Sequence, residues 1–210
     1  MTDIKIVIPA RYGSSRLPGK PLLEIDNKPM FWHVHSRCLL AGFKSEDIIV
    51  ATDDTRIFDS ASKYHIKAQL TELTHISGTD RINEVVNQQG FDKKTLVINV
   101  QGDEPLIPPE LIRDLAEFAC SNPKFDLSTV ITPITNVGDM TNANVVKVAV
   151  GENDQAIYFS RSAIPKNRDD VTSLEHAYRH IGIYAYRVST LNILCDLPES
   201  RLEKLAQVEL

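Results

Sequence analysis

Two short stretches carry residue types suited to chemistry on a polyphosphate. Residues 11–20 read Arg-Tyr-Gly-Ser-Ser-Arg-Leu-Pro-Gly-Lys, with the cations Arg11, Arg16 and Lys20 and no acid. Guanidinium groups bind phosphate oxygens in bidentate fashion, an ammonium adds a point charge, and glycines let backbone N–H groups approach an anion. The spacing matches neither common phosphate loop. Five residues separate Gly13 from Gly19, Pro21 follows Lys20 where the Walker pattern needs Ser or Thr, and G-x-G-x-x-G is absent. An anion site and a solvated basic turn are both open readings, and the position just past a first strand favours the anion site.

The second stretch is Gln101-Gly102-Asp103-Glu104-Pro105, which sets two carboxylates just past another apolar run. Magnesium takes one or two protein carboxylates and completes its shell with water and substrate phosphates, so this is a suitable position for it; the other reading is a solvated acidic turn. Asp53 and Asp54 form a similar pair, but Thr52-Asp53-Asp54-Thr55 is also a good helix N-cap, and that reading is preferred. Ser77-Gly78-Thr79-Asp80-Arg81 opens a helix whose N–H groups and hydroxyls suit either a base or sugar, or simple capping. His33, His35, His65 and His75 have no convergent partners in sequence, so zinc is not expected. Arg161 and His180 stand at strand ends in the C-terminal part of the chain, where polar side chains can face a cleft. No Ser/His/Asp order reads as a nucleophilic triad.

The elements that must position these residues alternate. Ile4–Ile8, Asp47–Thr52, Ile66–Leu70 and Leu96–Val100 read as strands, and residues 29–41, 56–64 and 79–89 as helices, the last with Ile82, Val85 and Val86 on its apolar face. Strands alternating with helices of ten or so residues are the signature of βαβ units, hence an α/β fold with a mainly parallel sheet covered on both faces. From Leu127 the rhythm changes to strand-like runs (LSTVITP, VVKVAV, QAIYFS, HIGIYAY), which reads as sheet extension plus a β-rich lobe inserted at about 135–186. The whole of 1–210 reads as one α/β domain carrying that lobe. Residues 201–210 show helical spacing without a helix-ending signal, so the chain reads as cut short.

Composition narrows the class. The 210 residues are 42% hydrophobic and 24% charged, enough to bury roughly 70% of the unfolded surface without disulfides or structural metal. Cys38, Cys120 and Cys195 are odd in number and far apart; they are expected to pack in helices, and a reducing cytoplasm fits them. A formal charge of −5 implies no general affinity for nucleic acid or an anionic membrane. No apolar run approaches the ~18 residues of a membrane span, and no signal sequence is read.

Six stretches taken in order, IPARYGSSRLPGKP (8–21), SGTDR (77–81), VQGDEP (100–105), YFSR (158–161), Ile164-Pro165 and HIGIYAY (180–186), closely resemble the 3-deoxy-manno-octulosonate (Kdo) cytidylyltransferases. The resemblance covers essentially the whole chain. It implies a nucleotide-diphospho-sugar transferase-like fold, CTP and Kdo as substrates, Mg2+, a homodimer in the cytoplasm, and a role in lipopolysaccharide biosynthesis. It also implies that the inserted lobe serves sugar binding and dimerisation. By the same resemblance Arg11, Arg16 and Lys20 hold the triphosphate, Ala10 and Ser77 lie near cytosine and ribose, and Gln101 touches nucleotide and sugar. Arg161, His180 and Tyr184 then line the sugar pocket, and Asp103 binds the metal, with Lys20 and Asp103 as the catalytic pair. Family members continue past residue 210 to a second metal-ligating aspartate, which implies that the C-terminal segment is missing here. Two alternatives stand beside this reading: an enzyme for the 8-amino analogue of Kdo, against which Glu104 argues, and a non-catalytic nucleotide-binding remnant.

Overall fold

The computed structural model describes residues 2–13, 17–75, 77–170, 172–198 and 200. The chain divides into two compact units, Met1–Ser128 with Ile183–Leu197, and Thr129–Gly182. The second unit begins and ends earlier than the 135–186 lobe read from the sequence. The division falls inside two strands, β7 and β10, whereas the sequence reading keeps the run LSTVITP whole and starts the lobe after it, at about 135.

The first unit opens with β1 (Ile4–Pro9), a two-residue hairpin β2 (Glu24–Ile25) and β3 (Lys28–Pro29), and α1 (Met30–Leu40). It continues through β4 (Ile48–Thr52), α2 (Thr55–Lys63), β5 (Ala68–Leu70), α3 (Gly78–Gln88), β6 (Leu96–Asn99) and α4 (Pro109–Ser121). The chain then follows β7 (Leu127–Pro133) into the second unit, which holds α5 (Val137–Thr141), β8 (Lys147–Val150) and β9 (Ala156–Ser160). It returns along β10 (Tyr178–Arg187) to α6 (Val188–Asp196) in the first unit.

In the first unit the strand order is β5-β4-β1-β6-β10, parallel except for β10, which runs antiparallel to β6 with Tyr184 opposite Asn99. This is the expected mainly parallel mixed sheet. Parallel strands flanked by helices are buried on both faces, which is why Ile6, Val7, Ile8, Ile48, Ile49 and Val50 read as near-continuous apolar runs. One face carries Val7, Ile49, Ala51 and Val97, and packs on Ile82, Val85 and Val86 of α3 and Leu191 of α6. Strand alternation turns Ile6, Ile8 and Ile98 to the other face, where α1 and α4 pack.

The helix α4 is missing from the sequence reading. Three prolines at 105, 108 and 109 masked it, yet Pro109 occupies a first-turn position, and Ile112, Leu115, Ala116 and Ala119 repeat at helical spacing and are buried. The three cysteines lie in α1, α4 and α6, in helices as expected. The terminal helix expected at 201–210 lies outside the described residues.

In the second unit β8 pairs antiparallel with both β10 and β9, leaving β9 at the edge. The side chain of Lys147 on β8 is fully buried, and its ammonium donates to the carbonyls of Asn142, Val145 and Arg161 at 2.6–2.9 Å. Three acceptors around one buried ammonium replace its lost hydration. Among the described residues of the whole chain no helix is long and apolar enough to cross a membrane.

Candidate active site

Because β1, β4, β5 and β6 are parallel, the loops leaving their carboxyl ends share one edge of the sheet. Open α/β sheets bind ligands at that edge. The basic stretch follows β1, Asp53 follows β4, residues 71–75 and 77 follow β5, and the acidic turn follows β6.

Tyr12 holds the neck of the basic loop. Its carbonyl accepts from the Gly19 amide at 2.8 Å, its own amide donates to Asp53 Oδ1 at 3.2 Å, and its ring lies under the Arg56 guanidinium, 3.4 Å from ring centroid to Cζ. Arg56 is gripped by both oxygens of Asp54, which also caps α2. Gly19 has φ +72°, and a Cβ there would come within 2.9 Å of the Tyr12 ring, so the turn needs glycine twice over. Arg11 is exposed on this loop, Ala10 is buried with its amide on Ala51 O at 2.8 Å, and Arg16 lies outside the described residues.

Lys20 starts a short 3₁₀ turn and reaches across to the acidic loop, where its Nζ donates to Asp103 Oδ2 at 2.7 Å. The two candidate catalytic residues are therefore brought together. Gly102 makes this approach possible: a Cβ at that position would sit 2.6 Å from the Pro9 carbonyl oxygen. Half-buried Gln101 anchors the turn by accepting the Glu104 amide at 3.2 Å.

Ser77 caps α3. Its Oγ accepts from the Asp80 amide at 3.0 Å and donates to Asp80 Oδ2 at 2.8 Å, while Asp80 Oδ2 also takes the Ser77 amide, a complete capping box. The hydroxyl thus caps the helix, one of the two readings of this segment. The Asp53-Asp54 pair divides its work, since Asp54 caps the helix and Asp53 accepts from Arg81 Nη2 at 2.9 Å. The sequence reading gives the Asp53-Asp54 pair jointly to the helix cap and gives Arg81 no role of its own, so their link is not foreseen. The available signal was an arginine inside the apolar face of α3.

Of the residues read as sugar contacts, Gln101 and Tyr184 belong to the first unit, and Arg161 and His180 to the second. Tyr184 is 6% exposed and packs in the core against β1, α3 and α6 neighbours rather than standing on a surface. Arg161 Nη1 donates to Ala143 O at 2.9 Å. His180 Nε2 lies 2.8 Å from Thr129 Oγ1, its ring meets Phe159 edge-on at 5.1 Å, and burial pulls its pKa down to about 4, so it is neutral at physiological pH. Of the four other histidines read from the sequence, His33 faces Ile25 O and His75 faces Glu84. Burial pushes the Cys38 and Cys195 thiols up to about 12, so neither is a ready nucleophile.

Comparison with known proteins bears on the family and the fold. Residues 5–210 match the family model described as Cytidylyltransferase. A 3-deoxy-manno-octulosonate cytidylyltransferase 2 from Paraburkholderia phytofirmans is 46% identical over 99% of this chain and 80% of the relative. A 3-deoxy-manno-octulosonate cytidylyltransferase from Thioalkalivibrio sulfidiphilus is likewise 46% identical, over 99% of this chain and 84% of the relative. The solved structure of a CMP:2-keto-3-deoxy-manno-octonic acid synthetase complexed with CTP superposes with a TM-score of 0.89 at 40% identity, covering 99% of this chain and 83% of that one. A cytidylyltransferase structure from Leptospira borgpetersenii, at 17% identity and a TM-score of 0.62 over 97% of this chain and 68% of that one, shares the fold. The chain belongs to the 3-deoxy-manno-octulosonate cytidylyltransferase family.

Proposed function

We propose that this chain joins CTP to Kdo, giving CMP-Kdo and diphosphate and supplying activated sugar for lipopolysaccharide biosynthesis. The observation that carries the reading is the meeting of Lys20 and Asp103 at the shared strand edge: a cation for phosphate oxygens beside a carboxylate for a divalent ion. The 2-hydroxyl of the sugar attacks the α-phosphorus in line. Its O–P bond forms as the bond from phosphorus to the bridging oxygen of the β-phosphate breaks, diphosphate leaves with that oxygen, and the hydroxyl proton passes to water. Arg11, Arg16 and Lys20 hold the phosphate oxygens on which charge develops, so the chain's own work is orientation and electrostatic stabilisation.

Asp103 is the chain's ligand for magnesium. The donor set fits, because magnesium is commonly held by one or two carboxylates and shares substrate phosphates. Among the described residues no cluster of three or more His, Cys, Asp or Glu makes a closed cage. When bound, the ion supplies positive charge that stabilises the developing charge on the phosphate oxygens. Arg161, in the second unit, is the group proposed for the sugar carboxylate. A homodimer belongs to the same reading, supported by edge strand β9, where Ile157 is 70% exposed beside exposed Tyr158. Three free thiols support a reducing, cytoplasmic setting.

The test is diphosphate release from CTP plus Kdo, with and without magnesium and with the 8-amino sugar in parallel. Release that needs both substrates and the metal, and is faster with Kdo, is expected. CTP binding without release at any magnesium concentration overturns the proposal.

A further inference from the structure

Two of the strand-end loops meet on one buried cation. Arg81, in the first turns of α3, is 2% exposed, and its guanidinium reaches the loops after β4 and β5 at once. Nη2 donates to Asp53 Oδ2 at 2.9 Å, while Nη1 donates to Thr71 Oγ1 and, at 3.4 Å, to the carbonyl of Glu72. Asp53, 9% exposed, carries the connection one step further, because its other oxygen accepts the Tyr12 amide at 3.2 Å. The loops after β1, β4 and β5 and the start of α3 are thus tied through one ion pair.

A buried ion pair is weak evidence for stability, since desolvating two charges costs about as much as their attraction returns. Its position is more informative. Burial pulls the Arg81 guanidinium below its ordinary range, Asp53 opposes that, and the charge of Arg11 adds to it. Arg11 therefore lies within electrostatic reach of Arg81, and the Asp53 carboxylate is the counter-charge that lets two guanidiniums share the neighbourhood. Asp54, the adjacent acid, takes no part in this: it caps α2 and grips Arg56.

We propose that Asp53 and Arg81 are positioning residues for nucleotide binding, holding the Tyr12 backbone so that Arg11 and, through the Tyr12–Gly19 bond, Lys20 are presented to the triphosphate. The inference rests on the function proposed above, and it concerns the nucleotide half of the site alone. Loss of the pair loosens the basic loop and leaves the rest of the first unit in place. Its effect falls on CTP affinity and spares the sugar.

The experiment measures equilibrium CTP binding by calorimetry and initial rates of diphosphate release for the full chain, Asp53→Asn and Arg81→Lys. Asp53→Asn keeps one acceptor for Tyr12 but removes the charge that faces Arg81. Arg81→Lys keeps the charge, but a single ammonium cannot serve Asp53, Thr71 and Glu72 together. For both variants the CTP Kd and KM are expected to rise about tenfold, with the KM for Kdo within twofold and kcat at saturating CTP within threefold. A folded variant with unchanged CTP affinity, or with CTP and Kdo affected equally, overturns the proposal. So does failure of both variants to fold, which would assign the pair to the fold. If the unaltered chain binds CTP but releases no diphosphate, the proposed reaction fails while the binding comparison still decides the role of Asp53.

Discussion

The Lys20 ammonium lies 2.7 Å from the Asp103 carboxylate, joining two residues 83 positions apart in the chain. The side chains are about one-third and one-half exposed, so solvent screening holds the pair's contribution to stability to ~0–1 kcal/mol. Such a pair is easily exchanged. Under the proposed function, phosphate oxygens would compete for the amine and a divalent cation for the carboxylate.

Asp103→Asn should therefore cost turnover far more than nucleotide affinity. A lost interaction that acts on charge developing in the transition state is worth about 10²–10³ in kcat, whereas the triphosphate keeps its cations. Steady-state rates with calorimetric CTP binding check this; equal losses in both, or no loss, would remove Asp103 from the metal role. Arg16→Ala should do the reverse, weakening CTP binding with less effect on kcat, and an unchanged CTP Kd would put that residue outside the site.

Gly102→Ala tests the close approach of the acidic turn to β1. The new Cβ would meet the Pro9 carbonyl at 2.6 Å, and backbone on both sides cannot rotate out of the way. Overpacking of this kind costs about 1–3 kcal/mol, and the shift moves Asp103 away from Lys20. Thermal unfolding should show the stability loss and rate assays a lower kcat; a variant unchanged in both would mean that the turn tolerates displacement.

Ser77→Ala should destabilise by about 1 kcal/mol, the usual worth of an N-cap. The hydroxyl is already engaged on Asp80 as both acceptor and donor. Ser77→Asn, which can cap, should recover most of the stability and any CTP affinity lost with the cap. Affinity that stays low in the capped variant would show that the hydroxyl itself contacts the nucleotide.

Much of this site is legible in the sequence because its parts are local. Arg11 and Asp103 sit just past apolar strand runs, Lys20 ends the basic loop that follows the first of them, and parallel topology puts those strand ends on one edge. The Asp53–Arg81 link spans 28 residues, and neither neighbourhood signals the other, because burial of a charge is visible only once the elements pack. The α4 helix was hidden by prolines that belong to its approach and first turn. Tyr184 is a different case: the resemblance assigns it to the sugar pocket, and alternation along β10 sets its ring in the core cluster, a burial that its strand motif alone does not announce.

His180 makes an acid-sensitive element of the second unit. Burial lowers its pKa to about 4 in the folded protein, against 6.5 for the ordinary side chain. The unfolded chain therefore binds more protons than the folded one between those values, so stability rises with pH through that window and is lost as pH falls from about 6.5 towards 4. Between pH 7 and pH 5 the loss attributable to this group is about 2 kcal/mol. His180→Asn, which can still hydrogen-bond Thr129 but does not titrate there, should unfold in urea with correspondingly weaker pH dependence. His35, whose pKa burial also lowers, stays in both proteins and cancels in the difference. Parallel stability profiles for the two proteins would show that the His180 ring is solvated when protonated and is not held by the lobe.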